Sequence, residues 1–153
     1  MSSSGNNPEP PRPASRRSAR FWIYMLECEN GHYYTGISTN LARRYSQHLS
    51  GRGGVRYTRS FRPRRIAQCW RLVAPIGTVL KIELFIKRKS RAFKTSLIAD
   101  PRSLKPAVTA ALGMKVRLYT FPPVVVERES LRLTERELRE GKDPLARFPL
   151  KNL

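Results

Sequence analysis

The chain has 153 residues, 40% of them apolar, which is enough for one domain with a modest core and tails. Its 30 Lys and Arg against 11 acidic residues leave a net charge of +19. That is far more than solubility requires, so the expected partner is a polyanion, either nucleic acid or an acidic membrane surface. Two cysteines make neither a disulfide framework nor a metal-ligand cluster, and no basic amphipathic helix with a clean apolar face points to a membrane.

Met1–Arg20 is rich in Ser, Pro and Arg and lacks an apolar run, which predicts a disordered tail and neither a signal peptide nor a membrane span. Ile23, Leu26 and the neighbouring aromatics then form one β-prone run and Tyr33–Ser38 a second, with Asn30-Gly31 as the turn of a hairpin. Loop length decides what this hairpin can do. Tyr24 and Tyr34 are ten residues apart, and strand alternation puts them on one face only if the loop holds an odd number of residues. A three-residue loop, Glu29-Asn30-Gly31 with Gly31 left-handed, makes the two phenols diagonal neighbours roughly 7 to 8 Å apart at the backbone. A two-residue loop would separate them. Gly36, in the second run, allows a ligand or a helix to approach that strand closely.

Thr39 or Asn40 can cap a helix that starts at Leu41 and is ended by Gly51. On it Arg44 and His48, four residues apart, share a face, while Leu41, Tyr45 and Leu49 form a stripe suited to packing on the sheet. Gly51–Arg65 reads as an arginine-dense loop with Tyr57 and Phe61 interleaved, a pattern for phosphate contacts and base stacking. Ile66–Val73 is a third strand. Thr78 opens an apolar helix with Val79, Ile82 and Ile86 on its buried face and Glu83 beside them; taken alone, Glu83 would pair with Lys87. Arg88, Lys89, Arg91 and Lys94 continue the basic surface into a short helix ending near Asp100-Pro101. Further on are an extra strand at Met114–Tyr119, a Val124–Val126 run, and a helix over Thr134–Glu140 with a Thr134/Glu137 capping box and Gly141 as its stop. Cys28 and Cys69 lie in strand-like segments and read as reduced core cysteines of a cytoplasmic protein. Residues 21–99 carry 15 Lys and Arg against 3 acids, a net of +12, whereas 127–153 hold 7 against 6. The excess charge therefore lies on the hairpin and its helices, not on a detachable tail.

On Trp22-Ile23-Tyr24, Tyr34-Thr35-Gly36 ten residues later, and Arg44 and His48 on the following helix, the chain resembles the GIY-YIG nuclease family and its small single-domain bacterial subgroup. Trp22 stands in place of the name-giving glycine and Thr35 in place of the isoleucine; neither position supplies a reacting side chain. The resemblance runs from about Phe21 to Ala99 and implies a tail at 1–20, a nuclease domain at 21–99 and an extension at 100–153. The implied fold is mixed α/β (α+β), a small and mainly antiparallel three-stranded sheet flanked by helices. The implied activity is metal-dependent endonuclease hydrolysis of DNA, structure-specific and serving repair or recombination at the cytoplasmic nucleoid. The alternative, from another class, is a non-catalytic RNA- or DNA-binding protein built on the same module.

The resemblance also assigns roles. Glu83 matches the family's metal-ligand glutamate, and one carboxylate suits Mg²⁺ (or Mn²⁺) held largely by water. Arg44, with its fixed charge and planar fork, would stabilise the charge on a pentacoordinate phosphorus. The base is open among Tyr34, Tyr24 and His48. A phenol of pKa about 10 is ionised in about one molecule in a thousand at neutral pH, a deficit of roughly 4 kcal/mol, while an ordinary histidine titrates near 6.5. In the family the residue matching Tyr34 is the usual base, and the one matching Tyr24 orients it. Gly36, Arg43, Arg52, Arg56 and Lys87 are the candidate nucleic-acid contacts.

Overall fold

The computed structural model describes residues 17–51 and 56–151. Within them four antiparallel strands form one sheet in the order β2-β1-β3-β4, with seven α-helices around it. The strands are β1 (Ala19–Cys28), β2 (Tyr33–Ser38), β3 (Pro63–Ala74) and β4 (Arg117–Phe121). The helices are α1 (Leu41–Ser50), α2 (Arg56–Ser60), α3 (Ile76–Lys87), α4 (Arg91–Ala99), α5 (Leu104–Leu112), α6 (Pro123–Arg132) and α7 (Glu135–Glu140).

The hairpin takes the three-residue loop. Glu27 pairs with Tyr33, Leu26 with Tyr34 and Tyr24 with Gly36, while Gly31 sits at φ 78° and its N–H donates to the Cys28 carbonyl at 2.8 Å. This odd loop preserves parity, so Tyr24 and Tyr34 face the same side. Alternation along β1 and β3 then divides the core in two. Ile23, Met25, Trp70 and Leu72 pack under α3, α4 and α5 against Val79, Ile82, Ile86, Leu97, Leu104 and Val108. Trp22, Tyr24, Leu26, Cys69 and Phe121 face the other way, against Leu41, Ala42 and Tyr45 of α1 and Val126 of α6. Cys28 and Cys69 are both buried and free.

The structure corrects several sequence expectations. The sheet has four strands, not three: β4 comes from the region after residue 100 and pairs with β3 from Cys69↔Phe121 to Val73↔Arg117. It starts three residues later than expected, because Gly113, left-handed at φ 64°, first ends α5. Helix α5 itself was not legible, since Pro106 reads as a breaker; it stands in the first turn, where its missing N–H costs no intrahelical bond. The Val124–Val126 run is helical because Pro122 and Pro123 start α6, with Val126 facing inward. Part of the arginine-dense loop forms α2. Of the expected tail, Ala19 and Arg20 belong to β1; residues 1–16 lie outside the described residues. The α1 cap is Asn40, whose side chain accepts from the Arg43 N–H, and the α7 capping box is formed as expected.

After α7 the chain returns to the site-bearing face and is fastened at three points. The Asn40 amide donates to the carbonyls of Gly141 (3.2 Å) and Lys142 (3.0 Å). The Trp22 indole N–H donates to Asp143 Oδ2 at 3.1 Å. The buried Arg71 guanidinium donates to the carbonyls of Phe148 and Pro149 and lies over the rings of Trp22 and Phe121. Trp22 packs edge-on against Phe121 at 5.2 Å, so it fills the space between the sheet and this segment. Removing its ring should cost about 3 kcal/mol or more. We expect Trp22→Ala to lower the urea midpoint accordingly and to remove hydrogen-exchange protection at the Leu145 and Phe148 amides, which hydrogen-bond within this segment; undiminished protection there would contradict the account.

Candidate active site

Tyr24 lies at the middle of β1, opposite Gly36 across the strand pair. A Cβ at Gly36 would stand 2.6 Å from the Tyr24 Oη and 2.7 Å from its Cζ. Real side chains do not tolerate such contacts, so only glycine lets the phenol ring lie this close to the backbone of β2. The close approach expected at Gly36 is made here by Tyr24, from within the chain. The same pose carries the hydroxyl over the edge strand to α1, where Tyr24 Oη meets His48 Nε2 at 2.8 Å. The other ring nitrogen, Nδ1, is 2.9 Å from Thr58 Oγ1 on α2.

Tyr34 completes the aromatic group, with its ring centroid 6.5 Å from that of Tyr24 and 5.3 Å from that of His48. Tyr57 stacks on it at 5.8 Å and 24°, and the exposed Phe61 follows at 5.2 Å from Tyr57. Asn30, in the hairpin turn, donates to the Tyr57 hydroxyl at 3.0 Å and so ties α2 to the hairpin. Arg44 stands one helical turn before His48 and donates to Gln47 Oε1 at 3.1 Å. A polar basin of about 310 Å³ opens beside it, lined by Asn40, Arg43, Arg44 and Gln47. Glu83, half-buried on α3, pairs with Lys87 at 3.0 Å.

The electrostatics join these groups. Burial raises the Tyr24 phenol well above its ordinary value, aided by Tyr34 and weakly by Glu83; Arg44 opposes the rise by its charge and a hydrogen bond. Burial, and then the Arg44 charge, pull His48 down to about 4. Tyr24 is therefore a neutral phenol and His48 a neutral imidazole across the physiological range. Tyr24, Tyr34, Arg44, His48 and Glu83, read from the sequence as one site, are within contact or electrostatic reach of a single phenol.

The other candidates are scattered. Arg43 lies against Gly141 and lines the basin, Arg56 is exposed at the start of α2, Lys87 is engaged by Glu83, and Arg52 lies outside the described residues. Thr58, Gln47 and Asn30 were missed. Thr58 and Asn30 gain their contacts only when the hairpin, α1 and α2 come together, whereas Gln47 sits three residues after Arg44 on α1, a local spacing that could have marked it.

A family model described as the GIY-YIG catalytic domain matches residues 20–96. The chain belongs to the GIY-YIG family. Among its relatives are UPF0213 proteins of Cupriavidus necator (40% identity over 87 residues, 57% of this chain and 92% of the relative) and Cupriavidus pinatubonensis (42% over 81 residues, 52% and 87%). Another, from Syntrophus aciditrophicus, is 40% identical over 77 residues, 50% of this chain and 87% of the relative. No solved structure gives a significant match. GIY-YIG domains are nuclease domains and are generally metal-dependent, so nuclease-type chemistry on nucleic acid follows for this chain at that level. No described helix is long and apolar enough to cross a membrane.

The donor set fits a sparsely held cation. Among the described residues no three His, Cys, Asp or Glu side chains gather as a metal cage. Glu83 offers one carboxylate beside the site, which suits a hard divalent ion that keeps most of its water and shares substrate phosphate oxygens.

The depressed His48 value has a consequence for stability. Between pH 6.5, its ordinary value, and about 4, the unfolded chain binds a proton at His48 that the folded chain does not. Stability then falls as pH drops through that window, by up to about 3 kcal/mol at its lower end. Urea midpoints measured across the window should fall more steeply for the native chain than for His48→Gln, the carboxylates being common to both; parallel pH profiles would show that His48 is not buried as a neutral ring.

Proposed function

We propose that this GIY-YIG domain is a metal-dependent endonuclease that hydrolyses DNA phosphodiester bonds. The observation that carries the reading is the gathering of Tyr34, Arg44, His48 and Glu83, from three further elements, within contact or electrostatic reach of the Tyr24 side chain. The net charge of +19, concentrated on the module, supports a polyanionic substrate bound mainly through its backbone. We place its action at the nucleoid in the cytoplasm, on DNA recognised by shape, in repair or recombination.

Hydrolysis needs a deprotonated nucleophile, charge compensation on the phosphoryl oxygens and help for the leaving oxygen. Arg44, beside the open basin, serves the second need as a permanent donor. Glu83 would hold the divalent ion, Mg²⁺ or Mn²⁺, exchanging its Lys87 partner; that ion supplies Lewis-acid neutralisation of the phosphate and leaving oxygen. Lys87, Arg43 and Arg56, with Arg52, contact flanking phosphates. Tyr24 is unsuited to be the base, because burial holds its proton on. Tyr34, nearer the exposed Tyr57–Phe61 ledge, takes that role, and Tyr24 with His48 holds the geometry around it.

One observation favours a second reading, a nucleic-acid-binding protein without catalysis. The ion pair with Lys87 already satisfies Glu83. Labelled duplex, nicked, flap and branched DNA incubated with Mg²⁺ or Mn²⁺ separates the two. The nuclease should cut at least one substrate, and Glu83→Ala and Tyr34→Phe should each slow cutting by about a hundredfold or more while affinity is largely kept. Binding should weaken with salt at a log-log slope near 0.9 per phosphate contacted. Tight, salt-sensitive binding retained by both variants with no cutting of any substrate would leave the binding reading standing.

A further inference from the structure

We infer that Thr58 is a positioning residue that selects which tautomer of His48 faces the Tyr24 phenol. The inference builds on the nuclease reading but stands on the geometry of a three-member chain: Tyr24 Oη to His48 Nε2 at 2.8 Å, and His48 Nδ1 to Thr58 Oγ1 at 2.9 Å. All three side chains are buried. A neutral imidazole has one N–H and one lone pair, whereas a hydroxyl can give or take. Two directions of hydrogen bonding are therefore open. Either Tyr24 donates to Nε2 and Nδ1–H donates to Thr58, or Thr58 donates to Nδ1 and Nε2–H donates to Tyr24.

The acidity of the two hydroxyls decides between them. A phenol is more acidic than an aliphatic hydroxyl and is the stronger donor, whereas the aliphatic hydroxyl of Thr58 is the stronger acceptor. The phenol proton then points to Nε2, and Nδ1–H needs an acceptor, which Thr58 Oγ1 supplies. Without that hydroxyl, Nδ1–H would be a buried donor lacking its acceptor, and the ring proton would move to Nε2. There it would face the phenol oxygen and turn the Tyr24 hydrogen away from His48. Thr58 itself is held by α2, which the Tyr57–Tyr34 stack and the Asn30–Tyr57 hydrogen bond fix to the hairpin.

The test is ¹⁵N-edited NMR of the imidazoles in the full chain, comparing native protein, Thr58→Val and Thr58→Ser. The chain has two histidines, so His32→Gln assigns the signals. Native protein and Thr58→Ser should carry the His48 proton on Nδ1, and Thr58→Val should carry it on Nε2. In parallel, Thr58→Val should lower kcat for DNA cleavage about tenfold, the worth of one hydrogen bond, with KM unchanged and activity restored in Thr58→Ser. An Nε2–H tautomer in native protein overturns the inference, and that result is readable even if Thr58→Val does not fold. An unchanged Nδ1–H tautomer in folded Thr58→Val overturns it as well. If the tautomer switches as stated but native protein cuts nothing, the nuclease reading fails while the role of Thr58 in the hydrogen-bond chain stands.

Discussion

The contact on which the site depends is the Tyr24 ring lying on the bare backbone of Gly36. Two independent features must coincide for it to form. The three-residue loop fixes the parity that puts Tyr24 opposite Gly36 and on the face of Tyr34, and the absent Cβ leaves room for the ring. A one-residue slip between the two strands would put the phenols on opposite faces of the sheet. With the ring in place, its hydroxyl reaches past the edge strand to His48, and α1, capped by Asn40, brings Arg44 to the same point.

Charge and burial act against each other there, and their balance assigns the roles. For Tyr24, desolvation outweighs the help from Arg44, so the phenol keeps its proton. For His48, desolvation and Arg44 act together, so the ring stays neutral near neutrality and is a weaker base than an ordinary imidazole. Of the three groups that the sequence left open as base, Tyr34, Tyr24 and His48, the proposed mechanism therefore uses Tyr34, with the other two holding the geometry around it.

What was legible in the sequence was local. The odd loop, the Gly31 turn, the Asn40 and Gly51 ends of α1, and the Thr134/Glu137 box each rest on contacts between residues a few positions apart. The five residues of the proposed site were legible for the same reason: four lie within one hairpin-helix unit, and Glu83 was added by resemblance. What was not legible is non-local. Strand β4 is drawn to β3 by a free edge and by Leu118 and Phe121, facing opposite cores, and nothing in residues 114–121 states that partner. Trp22 looked like a departure from the family pattern until Asp143, Phe121 and Arg71 supplied its surroundings from 49 to 121 positions away. Thr58 acquires meaning only through His48. Gly36 was seen as a place of close approach, but the ring that approaches it comes from the neighbouring strand.

The measurement that bears most directly on this account is the single-turnover cleavage rate of Gly36→Ala on the best-cut DNA substrate, taken with its far-ultraviolet circular dichroism to establish that the sheet and helices persist. An added methyl must push the Tyr24 ring off the β2 backbone and away from His48, so we predict a folded protein that cuts about a hundredfold more slowly or worse. A folded Gly36→Ala protein that cuts at the native rate would contradict the claim that the site is organised around the seat of Tyr24 on Gly36.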